Sequence, residues 1–400
     1  MRLPSAPSRF ALFAAALLLS ACAEKPPKPA PQLTLARVEF ARLPGWSDDD
    51  QAAALPALLK SCRRLSKQPT DKPVGPQGLA GTVLDWQPLC AEAERLPAGD
   101  RAAARRFFED EFVPFAVGNG DERDGLFTGY YEPELDGAKT PDARHRVPLY
   151  KRPDDLVTVD LGDFRADLQG ESIAGRVIDG KLKPYYTYEE IDKGALAGRG
   201  LELAWVADSV DAFFLHIQGS GLIRFADGTT MRVGYAAKNG RPFLAIGKAL
   251  VEDGEIPQGQ ASMQTIRAWL KAHPDRAPSV MYLNRSYIFY RPIDGDGPIG
   301  AQGVALTPGR SLAVDSKLLP LGVPLWLDTT WPDETPEAGR PLRRLMVAQD
   351  TGGAIRGAVR GDVFFGTGEP ALDYAGRMRQ TGRYYLLLPR TVAERRAATS

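Results

Sequence analysis

Val347-Ala-Gln-Asp350-Thr-Gly-Gly-Ala-Ile355, followed by Gly361-Asp362-Val-Phe-Phe-Gly366, is the stretch on which the reading of the fold turns. Each half couples a short apolar run to an aspartate, and Thr351-Gly-Gly-Ala-Ile-Arg-Gly357 joins them. Short apolar runs bounded by glycine and aspartate read as strands rather than helices. The same grammar continues outward in Ser311-Leu-Ala-Val-Asp315, Val323-Pro-Leu-Trp-Leu-Asp328, Arg344–Asp350 and Arg383-Tyr-Tyr-Leu-Leu-Leu388. Several short strands without intervening helices predict a closed barrel, not a βαβ sheet.

Upstream the character alternates. Residues 47–66 read as a helix capped by Ser47, and Asp100 opens another over Arg101–Phe112. At Leu126-Phe-Thr-Gly-Tyr-Tyr-Glu-Pro133 the chain turns to strands, with Leu201–Ala207 and Ala212–Ile217 expected among them. Asp227-Gly228, between Leu222–Phe225 and Met231–Val233, predicts a hairpin. Two helices follow, Pro242–Glu252 and Ser262–Ala272. The 40 glycines and 33 prolines argue against an all-helical bundle. Lys plus Arg and Asp plus Glu balance at 50 each, so net charge provides no field for gathering nucleic acid.

Residues 1–21 read as a signal peptide: Arg2 and Arg9 precede the apolar run Phe10–Leu19, which is short for a membrane span. Leu19-Ser20-Ala21-Cys22 resembles the bacterial lipobox, which implies that Cys22 is lipidated and becomes the first mature residue. Ala23, in place of an aspartate, favours the periplasmic face of the outer membrane. Residues 22–40 are then the lipid anchor and a proline-rich tether. Cys62 and Cys90 remain as an even pair, a disulfide candidate in an oxidising compartment, with two separate buried thiols as the alternative.

Among chemistries, the carboxylates are the informative group. His145, His216 and His273 are far apart and form no metal-ligand pair on one helix, so neither a metal nor a cofactor is expected. Gly219-Ser220-Gly221 is not a serine-nucleophile elbow, and Gly366-Thr367-Gly368 reads as a turn rather than a dinucleotide loop. One aspartate at a strand end is usually a turn former; Asp315, Asp350 and Asp362 within one barrel-like segment are more. An aspartate among apolar neighbours and near another carboxylate acquires the raised pKa that a general acid needs.

Ala313-Val-Asp315, Val347–Ile355 and Gly361–Gly366 together resemble the three-aspartate 3D domain of the membrane-bound lytic transglycosylase A family. The resemblance extends to Phe127–Pro133, Ile217–Leu222, Tyr235–Gly240 and Ser262–Arg267, in family order. It implies a mainly β fold with some α: a double-psi β-barrel domain, a smaller inserted β-barrel-like domain, and N-terminal helices. The corresponding division is 41–133 for the N-terminal helices and first part of the barrel, 134–268 for the insert, and 269–390 for the 3D part. Peptidoglycan glycan strands would lie in a groove between barrel and insert, and the β-1,4 bond between N-acetylmuramic acid and N-acetylglucosamine would be cut non-hydrolytically. The implied setting is cell wall turnover, recycling or division, with the outer membrane and a cell-wall synthesis or hydrolase complex as partners and no nucleic acid.

The third family aspartate matches Asp362, implied as acid and base, and the second matches Asp350, a supporting carboxylate. Thr128, Tyr130, Tyr131, Gln218, Gly219, Ser220, Gly221 and Asp315 are the expected sugar-binding residues, supplying hydroxyls, an amide, stacking faces and close backbone. Two rivals stand beside this reading. Asp350-Thr351-Gly352-Gly353 resembles the aspartic-protease loop, but it occurs once and would need a symmetric dimer. The other rival is a non-catalytic peptidoglycan-binding lipoprotein.

The anchor reading has a direct test. Cys22→Ala should yield an exported protein that fractionates with soluble periplasmic contents; a variant recovered only with detergent would exclude lipidation as the attachment.

Overall fold

The computed structural model describes residues 32–295 and 297–399, so the signal peptide and Cys22 lie outside the described residues. Six strands form a barrel: β1 (Gly125–Glu132), β2 (Ser311–Val314), β3 (Pro324–Thr330), β4 (Pro341–Asp350), β5 (Arg360–Thr367) and β6 (Arg379–Pro389). They pair in the order β6-β3-β4-β2-β5-β1, and β1 pairs back onto β6, closing the ring. The pairs β2–β4 and β5–β1 are parallel and the others antiparallel. This is the closed, mixed barrel expected of the double-psi type, and closure leaves no unpaired edge along the ring.

The barrel interior is apolar because alternate residues of each strand point inward. Phe127, Leu312, Leu325, Leu327, Leu345, Val347, Val363 and Leu386 are each at most 1% exposed. Three helices cover the outside: α1 (Leu55–Leu65), α2 (Val83–Arg95) and α3 (Arg101–Glu111). They bury Leu58, Trp86, Phe107 and Phe108 in the same core. Asp100 caps α3 by accepting the Ala103 N–H at 2.9 Å, as expected. The helix expected over 47–66 is shorter. Two 3-10 turns, Trp46–Asp48 and Gln51–Ala54, precede α1, whose first turn carries Pro56. Ser47 bonds Asp48 rather than capping a helix.

The expected tether also ends sooner than residue 40. Leu33–Arg37 is a strand paired antiparallel with Phe112–Asn119, which in turn pairs with β6. Five residues with main-chain partners cannot serve as a free linker.

Between β1 and β2 the chain builds a second β unit. Its strands order as Ile288–Pro292, Thr230–Lys238, Gly221–Phe225, Glu134–Ala138, Glu202–Val206 and Val147–Tyr150. A bridge between Lys151 and Tyr290 brings the two ends together, so this sheet curls into a barrel-like form. Its last strand lies past residue 268. Asp227-Gly228 does form the expected hairpin, with Gly228 at φ +79°. The segment Ala212–Ile217, expected as a strand, is instead within helix α4 (Ser209–Gln218). Asp208 accepts the Val210 and Asp211 N–H groups, and Gly219 closes the helix in the left-handed conformation. The apolar run Ala212–Leu215 is buried on all sides, and buried helices and buried strands look alike by pattern alone.

Cys62 on α1 and Cys90 on α2 form a disulfide, with Cα atoms 5.4 Å apart. The bridge ties together two of the three helices that cover the barrel. Replacing both cysteines by alanine should cost about 3.6 kcal/mol in the chain-entropy treatment, read as a lowered denaturant midpoint with the fold intact. An unchanged midpoint would show that helix packing alone holds this layer.

Candidate active site

The site grows from one irregularity in the barrel ladder. In the parallel pair β2–β4, Leu312 faces Ala348, but Ala313 faces Asp350 because a bulge skips Gln349. A bulge re-aims the side chains beside it. Gln349, fully buried, turns toward α1, where its amide donates to Ala57 O and Ser61 Oγ at 2.8 Å each. Asp350 is thereby placed on the same row as Ala313. On the other side of β2, Ala313 faces Asp362 of β5, and Asp362 faces Thr128 of β1. One transverse row thus reads Asp350, Ala313, Asp362, Thr128. The small Ala313 leaves space between two carboxylates that sit two strands apart, roughly 10 Å at the backbone.

The two carboxylates are given different surroundings. Asp350 Oδ1 accepts N–H groups from Ala301 at 2.8 Å and Thr351 at 2.9 Å, and Oδ2 accepts the Tyr130 hydroxyl at 3.0 Å. Gly300 makes the first of these bonds geometrically feasible: a Cβ there would lie 2.5 Å from Gln349 O and 3.3 Å from Asp350 Cβ. Burial raises the Asp350 pKa, opposed by its three hydrogen-bond donors. Asp362 accepts one side-chain bond, from Thr128 Oγ1 to Oδ1 at 2.7 Å. Burial pushes its pKa up to about 6; the Arg360 charge and the Thr128 bond oppose that rise, and the Asp350 charge adds to it. Both carboxyls remain partly open to solvent while densely surrounded by protein. Tyr130 is held firmly as a donor, because burial and then both carboxylates drive its pKa well above the usual phenol value.

Other expected residues have different places. Asp315 is buried; it accepts the Gly357 N–H at 2.8 Å and the Lys317 N–H at 3.2 Å, and so pins the 351–357 loop instead of facing a ligand. Tyr131, next to Tyr130, points to the opposite face and packs with Ala371, Leu372 and Ala375 of α6 (Glu369–Ala375). Gln218 accepts the Tyr131 N–H at 3.3 Å and so joins the insert to β1. Gly219 is the α4 cap, and Gly221 permits close approach, since a Cβ there would lie 2.4 Å from Leu215. Ser220, between them, is part-exposed.

The sequence reading passed over three contributors. Ala301 supplies only a backbone N–H, which leaves no trace in the sequence. Glu132, fully buried, accepts Arg232 Nε from the insert and Thr367 Oγ1 from β5, both at 2.8 Å. Arg360 donates to Thr128 Oγ1 at 2.8 Å. Its signal was present in Arg360-Gly361-Asp362, where alternation puts the first and third residues on one strand face. Among the described residues, no group of three or more His, Cys, Asp or Glu side chains is placed to hold a metal ion.

A barrel wall carrying two carboxyls, one filled with donors and one with its pKa raised to about 6, has the means for carboxylate acid–base chemistry. Residues 126–291 match the MltA specific insert domain and residues 310–388 the 3D domain. The fold is similar to the crystal structure of a membrane-bound lytic murein transglycosylase from Agrobacterium tumefaciens, with 39% identity and a TM-score of 0.81, covering 90% of this chain and 99% of that one. E. coli MltA with bound chitohexaose is 26% identical, with a TM-score of 0.65, covering 90% of this chain and 93% of that one. Membrane-bound lytic murein transglycosylase A from Vibrio cholerae is 29% identical over 323 residues, 78% of each chain. The chain belongs to the membrane-bound lytic murein transglycosylase A family, and it is a peptidoglycan lytic transglycosylase.

The electrostatics of Asp362 carry a stability consequence. Its pKa in the folded protein lies above the unfolded value of about 3.9, so its favourable contribution is complete below that value and is lost as pH rises through about 6. Asp362→Asn should therefore stabilise the protein at pH 8 by about 3 kcal/mol and leave it nearly unchanged at pH 4. Thermal unfolding at the two pH values measures this; equal effects at both would contradict the raised pKa.

Proposed function

We propose that the chain cleaves the β-1,4 bond between N-acetylmuramic acid and N-acetylglucosamine, leaving a 1,6-anhydromuramic acid end, with Asp362 as sole acid and base. The observation that carries this reading is the asymmetry of the carboxyls. Asp350 is filled by three donors, which favours a carboxylate, while Asp362 has one donor and a pKa of about 6. Most glycosidases need two carboxyls in exchange with substrate and water. Here only Asp362 is free to hand over a proton.

The steps follow from that. The proton of Asp362 goes to the glycosidic oxygen, the bond from muramyl C1 to that oxygen breaks, and the departing sugar takes the bonding electrons. An oxocarbenium-like cation develops, and the fixed charge of Asp350 stabilises it. The Asp362 carboxylate then removes the proton of the muramyl C6 hydroxyl as that oxygen bonds to C1. Asp362 ends protonated, as it began, and no water is consumed. The E. coli relative solved with chitohexaose, a β-1,4-linked sugar chain, supports a glycan strand as the occupant of this site. The relatives' designation as membrane-bound supports attachment at the periplasmic face of the outer membrane through Cys22.

Asp362→Asn keeps the size and the bond from Thr128 but has no transferable proton. Activity on purified sacculi should fall by ~10²–10⁴-fold, with glycan binding retained. For the wild type, kcat/KM should fall above about pH 6 as Asp362 loses its proton, and Asp350→Asn should move that fall to lower pH. Mass spectrometry should find products lighter by one water than those of a hydrolase. Reducing-end muramic acid as the main product, or an active Asp362→Asn enzyme, would overturn the proposal.

A further inference from the structure

The single hydrogen bond to Asp362 has a direction, and its far end fixes that direction. Arg360 Nη2 lies 2.8 Å from Thr128 Oγ1, and Thr128 Oγ1 lies 2.7 Å from Asp362 Oδ1. A guanidinium has N–H donors, no acceptor, and does not deprotonate in proteins. The Thr128 oxygen therefore gives one of its two lone pairs to Arg360, which bars its own proton from that direction; of the two directions left, only the one toward Asp362 Oδ1 holds an acceptor among the described residues. Arg360 is itself held across two strands, since Nη1 donates to Leu126 O at 3.3 Å and to Gly361 O. A Thr128 proton turned toward Arg360 would strand an N–H of this part-buried cation, and one turned in the remaining direction would give up its acceptor.

A carboxyl oxygen that already accepts a hydrogen bond is the carbonyl oxygen of the neutral acid. We propose that Arg360 is a positioning residue which, acting through Thr128, commits the transferable proton of Asp362 to Oδ2. The proposal rests on the reading of Asp362 as acid and base. Its consequence is that one oxygen, Oδ2, both delivers the proton to the leaving group and recovers one from the C6 hydroxyl. Without Arg360, water can take its place and accept the Thr128 proton, which frees the hydroxyl to accept a proton from Oδ1, a state in which the acid is protonated but turned away from the bond it must break.

Among the described residues, the surroundings offer no competing device. Arg360 lies on the same strand as Asp362, Thr128 and Tyr130 reach it from β1, and Asp350 from the end of β4. The Tyr130 hydroxyl is committed to Asp350 Oδ2, 3.0 Å away. The positive charge of Arg360 also draws the Asp362 pKa down against the effect of burial. Loss of Arg360 should thus have two signatures: a misplaced proton and a raised pKa.

The test is a pH–rate series on purified sacculi with Arg360→Met, Arg360→Lys, Thr128→Val and the double variant Arg360→Met/Thr128→Val, each checked for folding by circular dichroism. Arg360→Met should lower kcat about tenfold with KM within about twofold, and should move the fall of kcat/KM to higher pH. Arg360→Lys, which keeps a charged donor, should recover most of kcat. The double variant should have the kcat of Thr128→Val alone, because Arg360 places the proton through that hydroxyl, while its pH profile still moves with the lost charge. Multiplying losses in the double variant, a change confined to KM, or an unmoved pH profile would overturn the proposal. If Arg360→Met does not fold, Arg360→Gln, whose uncharged amide accepts as well as donates, should show the same loss of kcat and the same shift of the pH profile, and wild-type kcat and profile there would overturn the proposal. An active Asp362→Asn enzyme would instead remove the underlying assignment of Asp362, whatever the Arg360 variants do.

Discussion

Two carboxyls on one row of a barrel wall, with Ala313 between them, set the terms for the rest of the molecule. Unpaired charges removed from water are costly, and two of like sign make each other costlier. Asp350 is stabilised by three hydrogen-bond donors, two of them backbone N–H groups at the end of its own strand and in the 300–301 turn. Asp362 is accommodated by taking a proton near pH 6. Burial raises the pKa of both, and only Asp350 has three donors working against that rise.

The row depends in turn on the helical layer. The bulge that presents Asp350 also drives Gln349 through the wall, and a buried amide needs partners for every donor and acceptor. Ala57 O and Ser61 Oγ on α1 accept from it, and Ser311 Oγ at the start of β2 donates to it at 2.6 Å. Ser61 donates onward to Gln302 at 2.7 Å, one residue from the Ala301 N–H that binds Asp350. The N-terminal helices therefore do more than cover apolar surface. They complete a buried polar network whose other end is the carboxylate, and such networks are rigid when fully satisfied.

The insert is joined to the barrel by equally specific contacts. Arg232 pairs with the fully buried Glu132 at the end of β1, four residues along the strand from Thr128. Gln264 Nε2 on helix α5 (Met263–Ala272) donates to Leu372 O on α6 at 3.0 Å. Removing one partner of a buried ion pair leaves the other uncompensated, which makes the Arg232–Glu132 contact a fixed point rather than a sliding surface.

Local pattern in the sequence determined the strands of the 3D segment, the Asp227-Gly228 hairpin and the Asp100 cap, because each rests on neighbours within a few residues. Motif resemblance singled out Asp350 and Asp362. Ala212–Leu215 was misread because a fully buried apolar run has no polar face to reveal its period, and only the Asp208 cap and Gly219 stop, seen in place, show a helix. Thr128 and Tyr130 were legible as polar residues of the site, but not that they serve the two carboxyls, and Tyr131 and Asp315 turned inward to structural duties. That Asp350 is filled with donors while Asp362 has one was decided by tertiary structure alone. It depends on a skipped residue in one ladder, a backbone N–H from the 300–301 turn, and an arginine's bond to a threonine 232 positions away in the chain, and pairings at that distance leave no pattern in a linear sequence.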